Sequence, residues 1–251
     1  MVLKVLISIR SLEELFPAIE GGADIIDLKN PDEGSLGASF PWLIKKIRNY
    51  GNDFTLSVAI GDMPNLPGTA ALAASGAASC GADIIKVGLY GPRSFEEGVS
   101  LLKGVVKAAK AIDQNILVVG AGYADFKFFN GIDSMDIPAI CNSAGADVAM
   151  LDTLSKDGRK LFDFIDTEQL RKFVIKTHDC NLLAALAGSL KPEDLNILSD
   201  LGADVTGFRG AVCSDSDRKN GVLEINRVRK IVEISDQLDE RKKVLRSTTT
   251  I

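Results

Sequence analysis

A single (β/α)8 barrel is the architecture encoded by this chain of 251 residues, and three features point to it. The length suits one α/β barrel. A Gly-Ala-Asp triplet followed by apolar residues occurs four times. Between successive copies lies one further apolar run, with amphipathic helical stretches in between, so that strands and helices alternate as in a parallel sheet.

In chain order, the first strand is read at Leu3 to Ile7, and the second begins at Ile25, after Gly22-Ala23-Asp24. The third is Phe54 to Ala59, and the fourth follows Gly81-Ala82-Asp83. Between the fourth and fifth, Phe95 to Ile112 places Val99, Leu102, Val105, Val106 and Ala109 on one helical face. The fifth strand is Asn115 to Val119, and the sixth follows Gly145-Ala146-Asp147. The seventh is Leu182 to Leu186, and the eighth follows Gly202-Ala203-Asp204. The triplet glycines stand about 60 residues apart, twice the length of one βα unit, so each interval holds a second strand. Each triplet reads as a helix end turning into a buried strand. Residues 1–236 are assigned to the barrel, and 237–251, charged and then rich in Ser and Thr, to a C-terminal tail without a catalytic role.

The chain is 46% hydrophobic and 25% charged, as a globular protein requires. With a net charge of −5 and scattered basic residues, it offers no continuous cationic face, so nucleic acid is not expected as a partner. Met1 to Ser8 reads as a strand rather than a secretory signal, and no apolar run is long enough to span a bilayer, so no membrane association is expected. Cys80, Cys141, Cys180 and Cys213 are widely spaced and suit reduced thiols in a cytoplasmic protein. His178, the only histidine, precedes Asp179 near a helix end and is read as capping or solvated. Neither a metal nor a cofactor is expected. Apolar outer helices lead us to expect a homo-oligomer.

Side chains two apart on a strand share a face. The third residues after the triplet glycines, Ile25, Ile84, Val148 and Val205, are apolar and point inward. The fifth positions are then Asp27, Lys86, Met150 and Gly207, and the seventh are Lys29, Gly88, Asp152 and Arg209. These positions lie at the C-terminal strand ends, where barrel enzymes gather their reacting groups.

A lysine enclosed by apolar walls and facing a second lysine loses its proton readily, because burial and like charge both disfavour the ammonium. The neutral amine can then attack a carbonyl. Lys29 and Lys86 are the candidates, with Asp27 and Asp152 orienting them and exchanging protons. The alternative is a set of ion pairs with Asp27 that only hold the strands in register. Lys156, in the polar loop after Asp152, is either a further site cation or a solvated loop charge. Anion-binding turns are read at Gly188-Ser189 and at Gly207 to Gly210, where Arg209 adds a charge-assisted donor. An earlier turn, Gly120-Ala121-Gly122-Tyr123-Ala124-Asp125 after the fifth strand, is read as either holding a second anion or ordering the substrate. The stretch Asn30 to Ser39 is read as a substrate-closing lid, and Gly61 to Thr69 as a loop whose prolines and glycines are equally consistent with plain turn chemistry.

Several spellings are specific. Asp27-Leu28-Lys29-Asn30-Pro31 with Glu33 to Gly37, Ile85 to Gly91, Leu151-Asp152-Thr153 with Lys156-Asp157-Gly158, Ala187-Gly188-Ser189 and Gly207 to Gly210 occur in order along nearly the whole chain. Together they resemble the (5-formylfuran-3-yl)methyl phosphate synthases of methanofuran biosynthesis. The resemblance implies condensation of two glyceraldehyde 3-phosphate molecules with loss of phosphate and water. It also implies Lys29 as the Schiff-base lysine, Lys86 as the proton-transfer lysine, and Asp27, Asp152 and Lys156 in support. A class I aldolase acting on another phosphorylated carbonyl compound and a non-catalytic barrel that binds such a metabolite are the competing readings.

Overall fold

Strands separated by one helix each must lie parallel and side by side, and eight of them close on themselves. A computed structural model of the chain describes residues 2–248 and has that form. The elements are β1 (Lys4–Ile9), α1 (Leu15–Glu20), β2 (Ile25–Leu28), α2 (Pro41–Arg48), β3 (Thr55–Asp62), α3 (Pro67–Ser79), β4 (Ile84–Gly88) and α4 (Phe95–Lys110). They continue with β5 (Leu117–Tyr123), α5 (Ile137–Ala144), β6 (Val148–Asp152), α6 (Thr167–Asp179), β7 (Leu183–Leu186), α7 (Leu195–Leu201), β8 (Val205–Phe208) and α8 (Ile225–Thr248). The strands pair in sequence order and β8 returns to β1, giving a closed TIM barrel. No helix among the described residues is long and apolar enough to cross a membrane.

The Gly-Ala-Asp triplets do two jobs. Their glycines adopt φ values of 87°, 94°, 77° and 84°, a left-handed conformation that only glycine takes at little cost. Their aspartates then reach back to the preceding strand. Asp24 accepts the Val5 N–H at 2.7 Å, Asp83 that of Leu56 at 2.7 Å, Asp147 that of Val118 at 2.8 Å and Asp204 that of Ala184 at 2.8 Å. Each carboxylate thus staples the N-terminal end of an even-numbered strand to its odd-numbered neighbour. His178 joins this scaffold through Nε2, 2.8 Å from Asp204 Oδ2.

Alternation along the strands sorts side chains as the register predicts. Leu6, Ile25, Ile84, Val119, Val148, Met150 and Val205 form the apolar filling inside the barrel. Val5, Ile7, Ile26, Ile85, Val118 and Leu151 point outward into the layer between sheet and helices. Helix α4 opens with Ser94 Oγ accepting the Glu97 N–H at 3.2 Å, and buries Leu101, Leu102, Val105 and Ala109.

Three boundaries differ from the sequence reading. β3 runs on to Asp62, and α3 begins at Pro67, which shortens the loop expected over 61–69. β5 contains the segment expected to be the Gly120-Gly122 turn. Its two glycines face outward: a Cβ at Gly120 would lie 2.6 Å from Cys141 Sγ and 2.8 Å from Leu102, and one at Gly122 would collide with Ile137. They let α4 and α5 approach the sheet, and they are turned away from the barrel mouth. Finally, the boundary expected at 236/237 falls inside α8. Asp239 on that helix is buried and accepts the Leu3 N–H with both oxygens, at 3.2 and 3.0 Å, so the helix is part of the barrel here. Residues 249–251 of the expected tail lie outside the described residues.

Candidate active site

Asp27 sits at the centre of a buried polar layer. Its carboxylate accepts hydrogen bonds from Ser8 Oγ on β1 and Ser57 Oγ on β3, each at 2.9 Å, and from Lys86 Nζ on β4 at 2.8 Å. The pairing registers of β2 set Ser8 and Ser57 directly opposite Asp27. Burial acts to raise the Asp27 pKa, but Lys86 and Lys29, with the donors around it, hold it below its usual range.

One step further toward the C-terminal rim stands Lys29. Its backbone N–H extends the β1–β2 ladder to Ile9 O at 3.0 Å, while its ammonium has no hydrogen bond or ion pair among the described residues. The residue is 7% exposed. Burial is the main cause that lowers its pKa to about 7; Asp152 and Asp27 work against the drop, and Lys86 and Lys156 add to it. The amine is therefore substantially uncharged at neutral pH.

Across the mouth, Asp152 ends β6. It receives Lys156 Nζ at 2.8 Å, which also contacts Thr153 Oγ1 at 3.1 Å, and the Thr153 N–H at 2.7 Å. Burial would raise its pKa, yet Lys156 and Lys29 hold it well below the usual carboxylate range. Lys156 thus belongs to the rim cluster, and the reading of it as a solvated loop charge does not hold. Asp125 fastens the same loop by accepting the Leu154 and Ser155 N–H groups at 2.8 and 2.7 Å.

These groups open into a cavity of about 700 Å³. Lys29, Lys86, Asp152 and Lys156 line it together with Gly188, Ser189, Gly207, Gly210 and Arg218. Ser189 and Gly188 have φ values of 51° and 115°, so the turn after β7 carries two successive residues of positive φ. Gly210 opens a short 3-10 turn, whose first N–H groups have no partner within the turn. Among the cavity's cations, Lys86, Lys156, Arg209 and Arg227 have carboxylate partners, whereas Lys29, Lys191, Arg218 and Lys230 have none among the described residues. A positive mouth on a chain of net charge −5 concentrates the field where an anion would bind.

Arg209 corrects one expectation. It lines the cavity, but its guanidinium is committed to Glu14: it donates to both carboxylate oxygens and to the Ser8 carbonyl at 3.1 Å, and Nε donates to the Arg218 carbonyl at 3.1 Å. Burial makes this bidentate pair geometrically rigid. Its role is to tie β8 to the segment before α1, and not to meet a phosphate with a free fork. Glu14, Arg218, Asp62 and Asp125 were not found by sequence reasoning. Ser8 and Ser57 carried a usable signal, since each lies on the inward face of its strand.

Among the described residues, no three His, Cys, Asp or Glu side chains gather as a metal-binding group. A TIM barrel with paired lysines and aspartates at its rim, opening into a cavity lined by several cations, has the form of a barrel enzyme.

The comparisons narrow this class. The chain belongs to the 4-HFC-P synthase family, which it matches over residues 5–232. It is 50% identical over 230 residues to the (5-formylfuran-3-yl)methyl phosphate synthase of Methanococcus maripaludis, covering 91% of this chain and 98% of that one. The enzyme of the same name from Methanocaldococcus jannaschii is likewise 50% identical, with the same coverage. Among solved structures, KGPDC from Streptococcus mutans superposes with a TM-score of 0.62 over 95% of this chain and 99% of that one, at 13% identity. That likeness is one of fold.

Proposed function

We propose that the chain condenses two molecules of glyceraldehyde 3-phosphate into (5-formylfuran-3-yl)methyl phosphate, with loss of phosphate and water, through a Schiff base on Lys29. The observation that carries this reading is the Lys29 amine: buried, without a hydrogen-bond partner among the described residues, and held near pKa 7 in a cavity lined with cations. Family membership supports the product, because relatives 50% identical to this chain bear that name.

The Lys29 nitrogen attacks the aldehyde carbon of one triose phosphate, and loss of water leaves an iminium. The iminium draws electron density from C2, so a proton leaves that carbon and an enamine forms. Lys86, 2.8 Å from Asp27, is the shuttle for this proton, with Asp27 as its counter-charge. Electron return from the enamine expels the C3 phosphate by β-elimination. The backbone donors at Gly188, Ser189 and Gly210 hold phosphate groups during these steps. Carbon–carbon bond formation to the second triose, ring closure and dehydration complete the aromatic furan, and hydrolysis of the imine frees the formyl group and restores the Lys29 amine. Lys156 and Asp152 face the same space and supply the later proton transfers.

Borohydride reduction during incubation with glyceraldehyde 3-phosphate, followed by peptide mass analysis, tests the covalent step. The expected adduct sits on Lys29. Absence of any adduct there, together with no furan-aldehyde absorbance, would favour a phosphometabolite-binding barrel. An adduct with only a linear sugar phosphate as product would identify a class I aldolase instead.

A further inference from the structure

The cavity is one-sided. Its wall draws on β1, β4, β6 and β8, on Lys29 beyond β2 and on the segment from Ala187 beyond β7, but on no residue of β3 or β5. The missing half of the mouth is filled by the segment that follows Lys29. Leu36 from that segment is fully buried and packs in the barrel's inner apolar cluster with Ala59 of β3 and Ala121 of β5.

The segment is fastened from three directions. The Asp62 carboxylate, at the end of β3, accepts the Ser35 N–H at 2.7 Å and the Leu36 N–H at 3.2 Å. Ser35 Oγ donates to the Thr153 carbonyl beyond β6 at 2.9 Å, and Arg218 beyond β8 donates to the Gly34 carbonyl at 3.3 Å. In the closed ring β2 and β6 are opposite one another, so the segment crosses the mouth. Asp62 is itself held by the hydroxyl of the buried Tyr123. That contact needs space at Gly88, where a Cβ would collide with Tyr123 Oη and approach Asp62 Oδ1 to 3.0 Å. The seventh-position glycine of β4 is thereby explained.

We propose that Asp62, seated by Tyr123, is a positioning residue that pins Leu36 across the β3–β5 half of the mouth and so keeps water from the Lys29 amine. The inference rests on Lys29 acting as an uncharged nucleophile, as put forward above. Asp62 touches no reacting atom. It acts through the segment it holds, and an amide could not keep both contacts: Oδ2 accepts the Ser35 N–H and Oδ1 that of Leu36, so an asparagine NH2 would face one of these donors.

The test is competitive acetylation of Lys29 without substrate, read by peptide mass across pH, in the parent protein, Asp62→Asn and Leu36→Ala. In the parent the labelling midpoint is expected near pH 7. In both variants it should move up by one pH unit or more, toward an ordinary lysine, as water reaches the amine. Leu36→Ala leaves Asp62 in place, so it decides the matter even where Asp62→Asn fails to fold. A parent midpoint near 10 would overturn the reading of Lys29 as a neutral nucleophile. A parent midpoint near 7 that stays unchanged in a folded Leu36→Ala protein would overturn the role of the Asp62-held segment alone.

Discussion

The Lys86 ammonium and the Asp27 carboxylate meet at 2.8 Å with both side chains almost wholly enclosed, 2% and 0% exposed. Two serine hydroxyls complete the acceptor's shell. Such a pair is a poor source of stability, since desolvation offsets much of the attraction, yet losing one member leaves the other stranded.

Asp27→Ala should therefore lose about 3–5 kcal/mol of stability, measured by urea unfolding. The double replacement Asp27→Leu with Lys86→Met should recover most of that loss while remaining inactive. Equal instability of the single and double variants would show that the pair is not an isolated electrostatic unit.

The Lys29 amine governs the pH response. Its pKa is lowered by burial to about 7, so the reactive neutral form grows in as pH rises through 7, and kcat/KM should climb over that range. Stability follows the same titration. Between about 7 and 10.5 the unfolded chain binds the proton that the folded chain has shed, so this group's contribution improves with rising pH and is least favourable below 7. Lys29→Met should consequently be inactive but more stable than the parent at pH 6, with the gap closing toward pH 10. Thermal melts across that range decide it.

The turn at Gly188 has φ of 115°, and a Cβ there would lie 2.9 Å from Thr153 Cγ2. Gly188→Ala should cost about 1–3 kcal/mol of local strain and weaken inorganic phosphate binding by roughly tenfold or more. Titration calorimetry with phosphate is the measurement.

The proposed chemistry runs on amines and carboxylates alone. Overnight treatment with a strong chelator should leave the turnover rate unchanged. A rate that collapses and returns on adding back a divalent ion would count against the proposed mechanism.

Much of the barrel could be read from residue order, because alternation is a strict geometric rule. The Gly-Ala-Asp glycines set a register, and counting by two from them brought Asp27, Lys29, Lys86 and Asp152 to one rim. The same counting extended to β1 and β3 would have found Ser8 and Ser57. Arg209 was misread because its partner, Glu14, lies 195 residues away in sequence, and nothing local announces a pairing of that span. Gly120 and Gly122 were misread for a different reason. A glycine in a strand and a glycine in a turn are spelled alike, and only the helices packed behind β5 distinguish them. Asp62 gave no signal, since its work depends on a segment folded back over the mouth.

The four triplet aspartates all act where the strands begin, at the end of the barrel remote from Lys29 and Asp152. The fastening of the strands and the candidate reaction centre thus lie at opposite poles of the molecule. Reinforcing the lower pole, for instance by exchanging the Lys110 that pairs with Asp147 at 2.8 Å for an arginine, offers a route to a hardier catalyst whose reaction centre is left untouched.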